Sequence, residues 1–256
     1  MTNPNRGLSS FTLRSIAMLA MVIDHTAAIF FPDILWLRYI GRVAFPIFAF
    51  LLVEGYVHTK KFSHYLLRLL GLAILTDIPF NLMLNQSWDY VPFQNVIWTF
   101  VIGLASIWAI DNSKGKIPRV AWYLSTLVVI LVSTFLADWL ETDYHSLGIL
   151  MILGFYFFRG NSLQNRSGQF SIMLLANVIL PNLNTLTVIG YENLPLYWDY
   201  YGFELIHPQI FALLALPIIW LYSGQQGYHS KAGQVFNYLF YPLHMLVIGL
   251  LALALI

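Results

Sequence analysis

The stretch FTLRSIAMLAMVIDHTAAIFF, residues 11–31, is predominantly apolar and long enough to cross a bilayer as one α-helix. It is longer than the apolar region of a secretory signal peptide, and it lacks a small-residue cleavage site. It also contains Arg14, Asp24 and His25, three ionisable residues that a removable leader does not need. We therefore interpret residues 11–31 as the first membrane span.

The composition extends this interpretation to nearly the whole chain of 256 residues. Hydrophobic residues make up 59% and charged residues only 10%, whereas a soluble domain carries about 25% charged residues. So few charges cannot cover a surface that faces water. The net charge of +1 gives no whole-molecule attraction to nucleic acid, and the absence of cysteine excludes disulfides, thiolate metal sites and a cysteine nucleophile.

The apolar stretches predict an all-α, polytopic integral membrane protein with about nine transmembrane helices, within a range of about eight to ten. The sixth stretch is short, and Pro181 interrupts the seventh. The connecting loops are too short to fold alone, so we expect a single transmembrane domain over residues 1–256. The predicted spans are 11–31, 36–57, 63–84, 93–110, 118–137, 145–158, 170–190, 205–222 and 237–256.

The basic residues predict the orientation, because Lys and Arg are enriched in cytoplasmic loops. With the N-terminus inside, Arg38 and Arg42 are the only two of the 13 Lys and Arg residues that fall on the outer side. This pattern predicts an N-in, C-out protein that crosses the cytoplasmic (inner) membrane many times. The cytoplasmic residues are Arg6, Arg14, Lys60, Lys61, Arg68, Lys114, Lys116, Arg119, Arg159, Arg166 and Lys231.

Four ionisable residues share one predicted depth, about 10 Å below the outer surface: Asp24, His25, Arg42 and Asp77. Asn95 enters the same layer from the fourth span. An Asp24–Arg42 ion pair that pins the first two spans together would explain two of these residues. It would not explain His25 or the second carboxylate, and charged clusters within a membrane indicate an active centre. Both interpretations stay open on the residues alone.

The spacing between Arg14 and His25 adds a second observation. Eleven helical steps leave the two side chains about 20° apart around the helix and about 16 Å apart in height. Such a face suits a long donor whose phosphates bind Arg14 and whose reactive end reaches His25. The alternative is an ordinary flanking arginine together with a core histidine that bonds to a neighbour.

Five short segments of the sequence are distinctive in their order: MVIDH (21–25), GRVAFPIF (41–48), QNV (94–96), YHSLG (144–148) and FYPLH (240–244). Together they resemble the TraX family, named for the membrane acetylase of F pilin, and the Arg14–His25 spacing resembles the start of acyltransferase-3 type proteins. The resemblance implies an acyl-CoA-dependent transmembrane acyltransferase with His25 as the catalytic histidine and Arg14 as the basic residue of the signature.

We expect an acetyl or other acyl group to move from cytoplasmic acyl-CoA, with acetyl-CoA as the donor substrate, to an amine or hydroxyl at the outer half. Neutral His25 would act as general base, and Asp77 would orient its ring. Asn95 would donate to the thioester oxygen, and Asp24 would pair with Arg42. No metal is expected, because no His/Glu pair has convincing ligand spacing.

Other residues are assigned to the donor side and the acceptor side of this expected acyl transfer. Tyr241 and His244 are expected to line the donor channel, Asp143 and His145 to meet the acceptor, and Glu54 to pair with Arg68 or to reach the interface. The expected partners are acyl-CoA, the lipid bilayer and an acceptor that is a peptide N-terminus, a sugar or a lipid; a homo-oligomer is left open. The candidate ligands for the CoA phosphates are Arg14, Arg68, Lys60, Lys61 and Arg159.

Two other classes of protein compete with the acyltransferase. In a proton-coupled transporter, Asp24, His25, Arg42 and Asp77 would form a relay, but such folds often show inverted repeats and paired broken helices. Here only the seventh span is clearly broken. A non-catalytic membrane assembly factor would use the charged layer for packing alone. We rank the acyltransferase first, the transporter second and the assembly factor third.

Overall fold

The computed structural model describes residues 7–86, 88, 92–228 and 230–255, so that Arg6 lies outside the described residues. Helices dominate this part of the chain, which has isolated β-bridges and no β-strand. The helices are α1 (Ser10–Phe30), α2 (Leu35–Gly41), α3 (Ala44–His58), α4 (Phe62–Asn85), α5 (Val96–Ser113), α6 (Arg119–Trp139), α7 (His145–Phe157), α8 (Leu163–Leu174), α9 (Leu180–Ile189), α10 (Leu194–Tyr201), α11 (Ala215–Trp220) and α12 (Lys231–Leu255).

The helices confirm the prediction of an all-α membrane fold. Among the described residues, 7 helical segments are long and apolar enough to cross a membrane, and two shorter apolar helical segments accompany them. These are α7, His145–Phe157, and Pro208–Trp220, in which a 3₁₀ segment, Pro208–Leu214, leads into α11. Every predicted span overlaps one of these segments, and the two shorter helices correspond to the sixth and eighth spans. The number of spans that cross the bilayer and the N-in, C-out orientation remain predictions.

The second predicted span is divided in the structure. Helix α2 ends at Gly41 and α3 begins at Ala44, with Pro46 in its first turn. Proline fits there because the first turn of a helix has no backbone partner for an N–H group. The break places Arg42 between two helices instead of inside one.

The interruption in the seventh span takes the form of a π-helical turn, Leu175–Ile179, which joins α8 to α9. Pro181 follows this turn and cannot donate a hydrogen bond to the helix, which accounts for the local irregularity. Asn177 is completely buried within the turn and donates to the carbonyl of Met173 (2.9 Å). Asn177 also donates to the sulfur of Met151 on α7 (3.2 Å), which ties the irregular turn to the bundle core.

The core of the bundle lies around α3, α5 and α7, whose apolar side chains are largely buried. Helix α6 lies outside them and exposes large apolar side chains such as Val120 and Phe135, as expected of a lipid-facing helix. The last helix, α12, packs mainly against α4 and also touches α1. This packing brings the end of the chain against its beginning.

Candidate active site

Two cavities meet inside the bundle. The larger, of about 360 Å³, is lined by Arg14 and Arg68, and we call it the Arg14 cavity. The smaller, of about 160 Å³, is lined by His25 and Arg42, and we call it the His25 cavity. Helix α1 therefore presents Arg14 to one cavity and His25 to the other. The side chains that line both cavities are Met21, Phe48, Val96, Phe100 and Tyr241.

His25 is hydrogen-bonded to a second histidine. Its Nδ1 lies 2.9 Å from Nε2 of His244 on α12, and the two rings are nearly parallel, with an interplanar angle of 9°. The other ring nitrogen of His244, Nδ1, lies 2.9 Å from the carbonyl oxygen of Phe240. The three groups form a continuous chain of hydrogen bonds across the interface of α1 and α12.

The Phe240 carbonyl fixes the tautomer of both rings. A carbonyl oxygen can only accept, so Nδ1 of His244 carries the proton and donates it. In the neutral ring, Nε2 of His244 is then an acceptor, and Nδ1 of His25 must donate to it. Nε2 of His25 is consequently left with a free lone pair. The arrangement can therefore take up a proton at Nε2 of His25.

Beside His25, the carboxylate of Asp24 is held by two arginines. Arg42 forms an ion pair with Oδ2 of Asp24, as predicted, and Nε of Arg38 lies 3.2 Å from Oδ1. Arg38 also donates to the backbone carbonyl of Asp24 (3.2 Å). Asp24 is buried, and a buried carboxylate is tolerated when paired in this way. The pairing ties α1 to the junction of α2 and α3.

Gly41 makes this pairing possible. A Cβ atom at this position would overlap the side chain of Asp24, because α1 and α2 approach each other closely there. Glycine is the residue that permits such an approach. The Gly41-Arg42 dipeptide thus brings the backbone close to Asp24 and supplies the guanidinium that neutralises it.

The predicted contact between Asp77 and His25 is wrong. Asp77 instead accepts hydrogen bonds from Nδ2 of Asn95 (2.5 Å) and Nε1 of Trp98 (3.1 Å). Counting residues along a helix gives the depth of a side chain but not the direction in which it points, and the direction separates these two groups. His244 occupies the position expected for Asp77.

The same contacts exclude Asn95 as the donor to a thioester oxygen. Its side chain is completely buried, and Nδ2 donates to the carbonyl of Ala73 (2.9 Å) as well as to Asp77. Its Oδ1 caps α5 by accepting the N–H of Ile97 (3.0 Å). Asn95 therefore joins α4 to α5 and has no donor left for a ligand.

A strained loop between α6 and α7 closes the wall of the His25 cavity. Three non-glycine residues adopt positive φ angles there, Glu141 (50°), Tyr144 (68°) and His145 (45°). Strain of this kind persists only where the surroundings determine the backbone, and it concentrates at functional sites. Asp143 and Tyr144 line the cavity, whereas His145 begins α7, half-exposed, with Nδ1 3.9 Å from Asp138.

The structure locates the predicted phosphate ligands in three places. Arg14 lines the Arg14 cavity and takes part in no ion pair among the described residues. Arg68 lines the same cavity, with its guanidinium 6.0 Å and 5.8 Å from the rings of Tyr65 and Tyr238. Lys60 and Lys61 belong with Arg68 to an adjoining open pocket at the start of α4.

Arg159 does not join the other basic residues. Its Nε lies 2.6 Å from Oε1 of buried Glu54, and its Nη2 lies 3.2 Å from Oε2. The predicted pairing of Glu54 with Arg68 is therefore wrong. Arg159 lines a separate cavity with Glu54, and its charge is already neutralised.

Sequence reasoning missed the functions of Arg38 and Gln209 and the contact that His244 makes. Arg38 precedes Arg42 by one helical turn, a spacing that could have indicated a shared carboxylate. Gln209 accepts from Nη1 of Arg42 (3.4 Å) and donates to Asn177 (3.2 Å), so it links the arginine to the π-helical turn. No local signal in the sequence indicates that contact.

Comparison with known proteins agrees with the resemblance described above. The family described as TraX protein matches residues 9–252. A probable fimbrial assembly protein FimC (serogroup H1) of Dichelobacter nodosus is 25% identical over 259 residues, 94% of each chain. An uncharacterized protein of Rickettsia prowazekii (strain Madrid E) is 29% identical over 145 residues, 56% of this chain and 53% of its own. No solved structure matches. The chain therefore belongs to the TraX protein family and is a multi-pass helical membrane protein.

Proposed function

We propose that the protein is an acyl-CoA-dependent acyltransferase of the cytoplasmic membrane, which transfers an acetyl group from acetyl-CoA to an acceptor at the outer half of the bilayer. The observation that carries this proposal is the His25–His244 pair, which leaves Nε2 of His25 unprotonated on the wall of a cavity. A second cavity adjoins it, and this one is lined by Arg14, which forms no ion pair within the part of the chain that the structure describes. A base and a separate anion site are the two elements that transfer from CoA requires.

The Arg14 cavity is the proposed donor site. Arg14 and Arg68 would bind the CoA phosphates, with Lys60 and Lys61 at the entrance, because guanidinium and ammonium groups are the usual ligands of phosphate. Apolar side chains such as Leu51, which lines this cavity, would accommodate the arm that carries the thioester. That arm would extend toward Tyr241, where the two cavities share their wall.

In the proposed reaction His25 acts as general base. Nε2 of His25 takes the proton of the acceptor N–H or O–H as that atom attacks the thioester carbon. The C–S bond then breaks, and the CoA thiolate recovers the proton from the imidazolium. His244, which accepts from Nδ1 of His25, would stabilise the imidazolium meanwhile. The products are the acylated acceptor and CoA with a free thiol.

The developing negative charge on the thioester oxygen needs a hydrogen-bond donor, and the side chain of Asn95 cannot provide one. Arg38 is the better candidate. Its contacts with Asp24 use Nε and Nη1, which leaves Nη2 for a ligand. A positioned donor of this kind contributes about 3 kcal/mol where it has been measured. The side chain of Arg38 is 33% exposed, so a substrate in the His25 cavity could reach it.

For the acceptor we propose the amino terminus of a pilin-type subunit. The similarity to a probable fimbrial assembly protein supports an acceptor of the pilus, and the TraX resemblance implies pilin acetylation. An acceptor that lies in the membrane would present its amine at the depth of His25. The transporter alternative is weakened, because a relay of four groups would need Asp77, which is not among the residues lining the His25 cavity.

The test is acetyl transfer by the detergent-purified protein, with labelled acetyl-CoA and a peptide acceptor. We expect labelled peptide with the wild-type protein and transfer at least about 100-fold slower with His25→Ala. Folding of the variant is checked by thermal unfolding. Full transfer by a folded His25→Ala variant would exclude the proposed mechanism, and proton flux in liposomes without CoA would favour the transporter.

A further inference from the structure

The His25 cavity contains a second carboxylate, Asp143, that the mechanism above does not use. The first carboxylate, Asp24, is neutralised by Arg38 and Arg42. Asp143 lines the same cavity and forms none of the ion pairs found in the described part of the chain. It accepts the backbone N–H of Tyr144. One cavity therefore holds two proton acceptors, Nε2 of His25 and the carboxylate of Asp143.

The backbone at Asp143 is held from both sides. Its N–H donates to the carbonyl of Gln94 (2.9 Å), and its carbonyl accepts from the hydroxyl of Thr99. The next residue, Tyr144, has a positive φ and stacks on Phe45, with ring centroids 3.8 Å apart. These contacts hold the backbone of Asp143, and with it the base of its side chain, at one place in the cavity wall.

Two proton acceptors in one cavity suit a substrate that is acylated on an amine better than one that is acylated on a hydroxyl. An amino terminus is protonated near neutral pH, because its pKa is about 8. It must lose one proton before it can attack and a second during the reaction. A hydroxyl must lose only one proton and would need only His25.

We propose that Asp143 removes the first proton from an ammonium acceptor, so that His25 can remove the second; this inference rests on the proposed function. The carboxylate takes a proton from R–NH₃⁺ and becomes the carboxylic acid, leaving R–NH₂. The amine attacks the thioester, Nε2 of His25 takes its next proton, and the thiolate leaves with that proton. Asp143 then releases its own proton to water, and the sum is one amide, one CoA thiol and one proton.

The electrostatics around Asp143 agree with this function. Burial raises the pKa of Asp143 to about 6, which brings it closer to that of an amino terminus. The charged and titratable groups that face it are Arg42, Asp24 and His145, together with the phenols of Tyr144 and Tyr241. Charge balance against Arg42 alone would also place a carboxylate here, and the experiment must separate the two functions.

The experiment compares three acceptors that share the peptide Ala-Gly-Leu-Phe amide and differ at the amino terminus. The first has the ordinary amine, the second an aminooxyacetyl group whose nitrogen is neutral at pH 7, and the third a hydroxyacetyl group. Acetylated product is measured by mass spectrometry with wild-type protein, Asp143→Asn and Glu141→Gln. The last variant removes a charge from the same loop at an exposed position, and serves as the control.

With Asp143→Asn we expect kcat/KM for the ordinary amine to fall by about tenfold or more, while the two other acceptors change by less than about threefold. The loss should shrink as the pH approaches the pKa of the amine, about 8. An equal loss for all three acceptors would mean that Asp143 only balances charge. No loss for any of them would mean that Asp143 does not contact the acceptor. Either result would overturn this inference without contradicting the proposed acyltransferase function. Wild-type protein that acetylates none of the three would overturn the proposed function and this inference together.

Discussion

Nδ1 of His25 lies 2.9 Å from Nε2 of His244, and this contact joins the first helix of the chain to the last, 219 positions away. The hydrogen bond from His244 to the Phe240 carbonyl sets the protonation of both rings. The second histidine therefore does the work that a carboxylate does in many histidine-dependent enzymes, namely to hold one tautomer. It does so without placing another negative charge in the membrane, where such a charge is costly.

The first prediction concerns this pair. His25→Ala should lower kcat by about 10²- to 10⁴-fold, the usual contribution of a general base. His244→Leu should lower it less, and His244→Gln should recover part of the loss, because the glutamine oxygen can accept from Nδ1 of His25. The measurement is acetyl transfer at saturating acetyl-CoA. His58→Ala, at an exposed position, is the control, and equal activity of the Leu and Gln variants would contradict the assigned hydrogen bond.

The second prediction uses two glycines. Gly41→Ala should lower the thermal unfolding temperature and the activity together, because the new Cβ would displace Asp24 from Arg42. Breaking a buried ion pair costs about 3–5 kcal/mol. Gly71→Ala on α4 is the matched control, since a Cβ there meets no atom within 4 Å. That substitution should leave stability unchanged or raise it by up to about 1 kcal/mol. Equal behaviour of the two variants would show that the close approach at Gly41 is unimportant.

The third prediction separates two arginines. Arg14→Gln should raise the KM for acetyl-CoA by about tenfold, the equivalent of one charge-assisted contact, with little effect on stability. Arg159→Gln should instead lower stability and leave the KM for acetyl-CoA nearly unchanged, because it leaves the buried carboxylate of Glu54 without its partner. We expect a loss of up to about 3 kcal/mol in the free energy of unfolding. The measurements are KM for acetyl-CoA and unfolding in detergent; a KM effect of Arg159→Gln with no loss of stability would return that residue to the donor site.

The fourth prediction is a pH dependence of stability. Burial raises the pKa of Asp143 from 3.8 to about 6, so the folded protein favours the protonated acid. The stabilising contribution of this group is complete below about pH 4 and is lost as the pH rises through about 6. Asp143→Asn cannot ionise and should therefore gain stability relative to wild type between pH 5 and pH 7.5, by the order of 1 kcal/mol. Thermal unfolding at the two pH values measures this difference, with Glu141→Gln as control. A relative loss at pH 7.5 would show that Asp143 is held as an anion by Arg42.

The helices could be predicted from the sequence because the length of an apolar stretch reports directly on the thickness of the bilayer. The division between α2 and α3 could not, because residues 36–57 are apolar on both sides of Gly41. Similarly, Pro181 indicated an interruption of the seventh span, yet the irregular turn lies before it, at Leu175–Ile179.

Within the candidate site, the Asp24–Arg42 pair could be predicted, because both residues are charged and lie at one depth. The partner of His25 could not. The predicted depth in the membrane made Asp77 as suitable a partner for His25 as any other group. Only the packing of α12 against α1 brings His244 to the ring of His25. Contacts between the ends of a chain depend on the arrangement of all the helices between them, which no local pattern encodes.

The wall that the two cavities share has a consequence for the membrane itself. It is built from four apolar side chains and one phenol, those of Met21, Phe48, Val96, Phe100 and Tyr241. An apolar constriction of this kind would admit a small uncharged group but would exclude a hydrated ion, because a single phenol cannot replace the hydration water. Replacing Phe100 or Phe48 with a small polar residue should thus let water pass more freely between the two cavities.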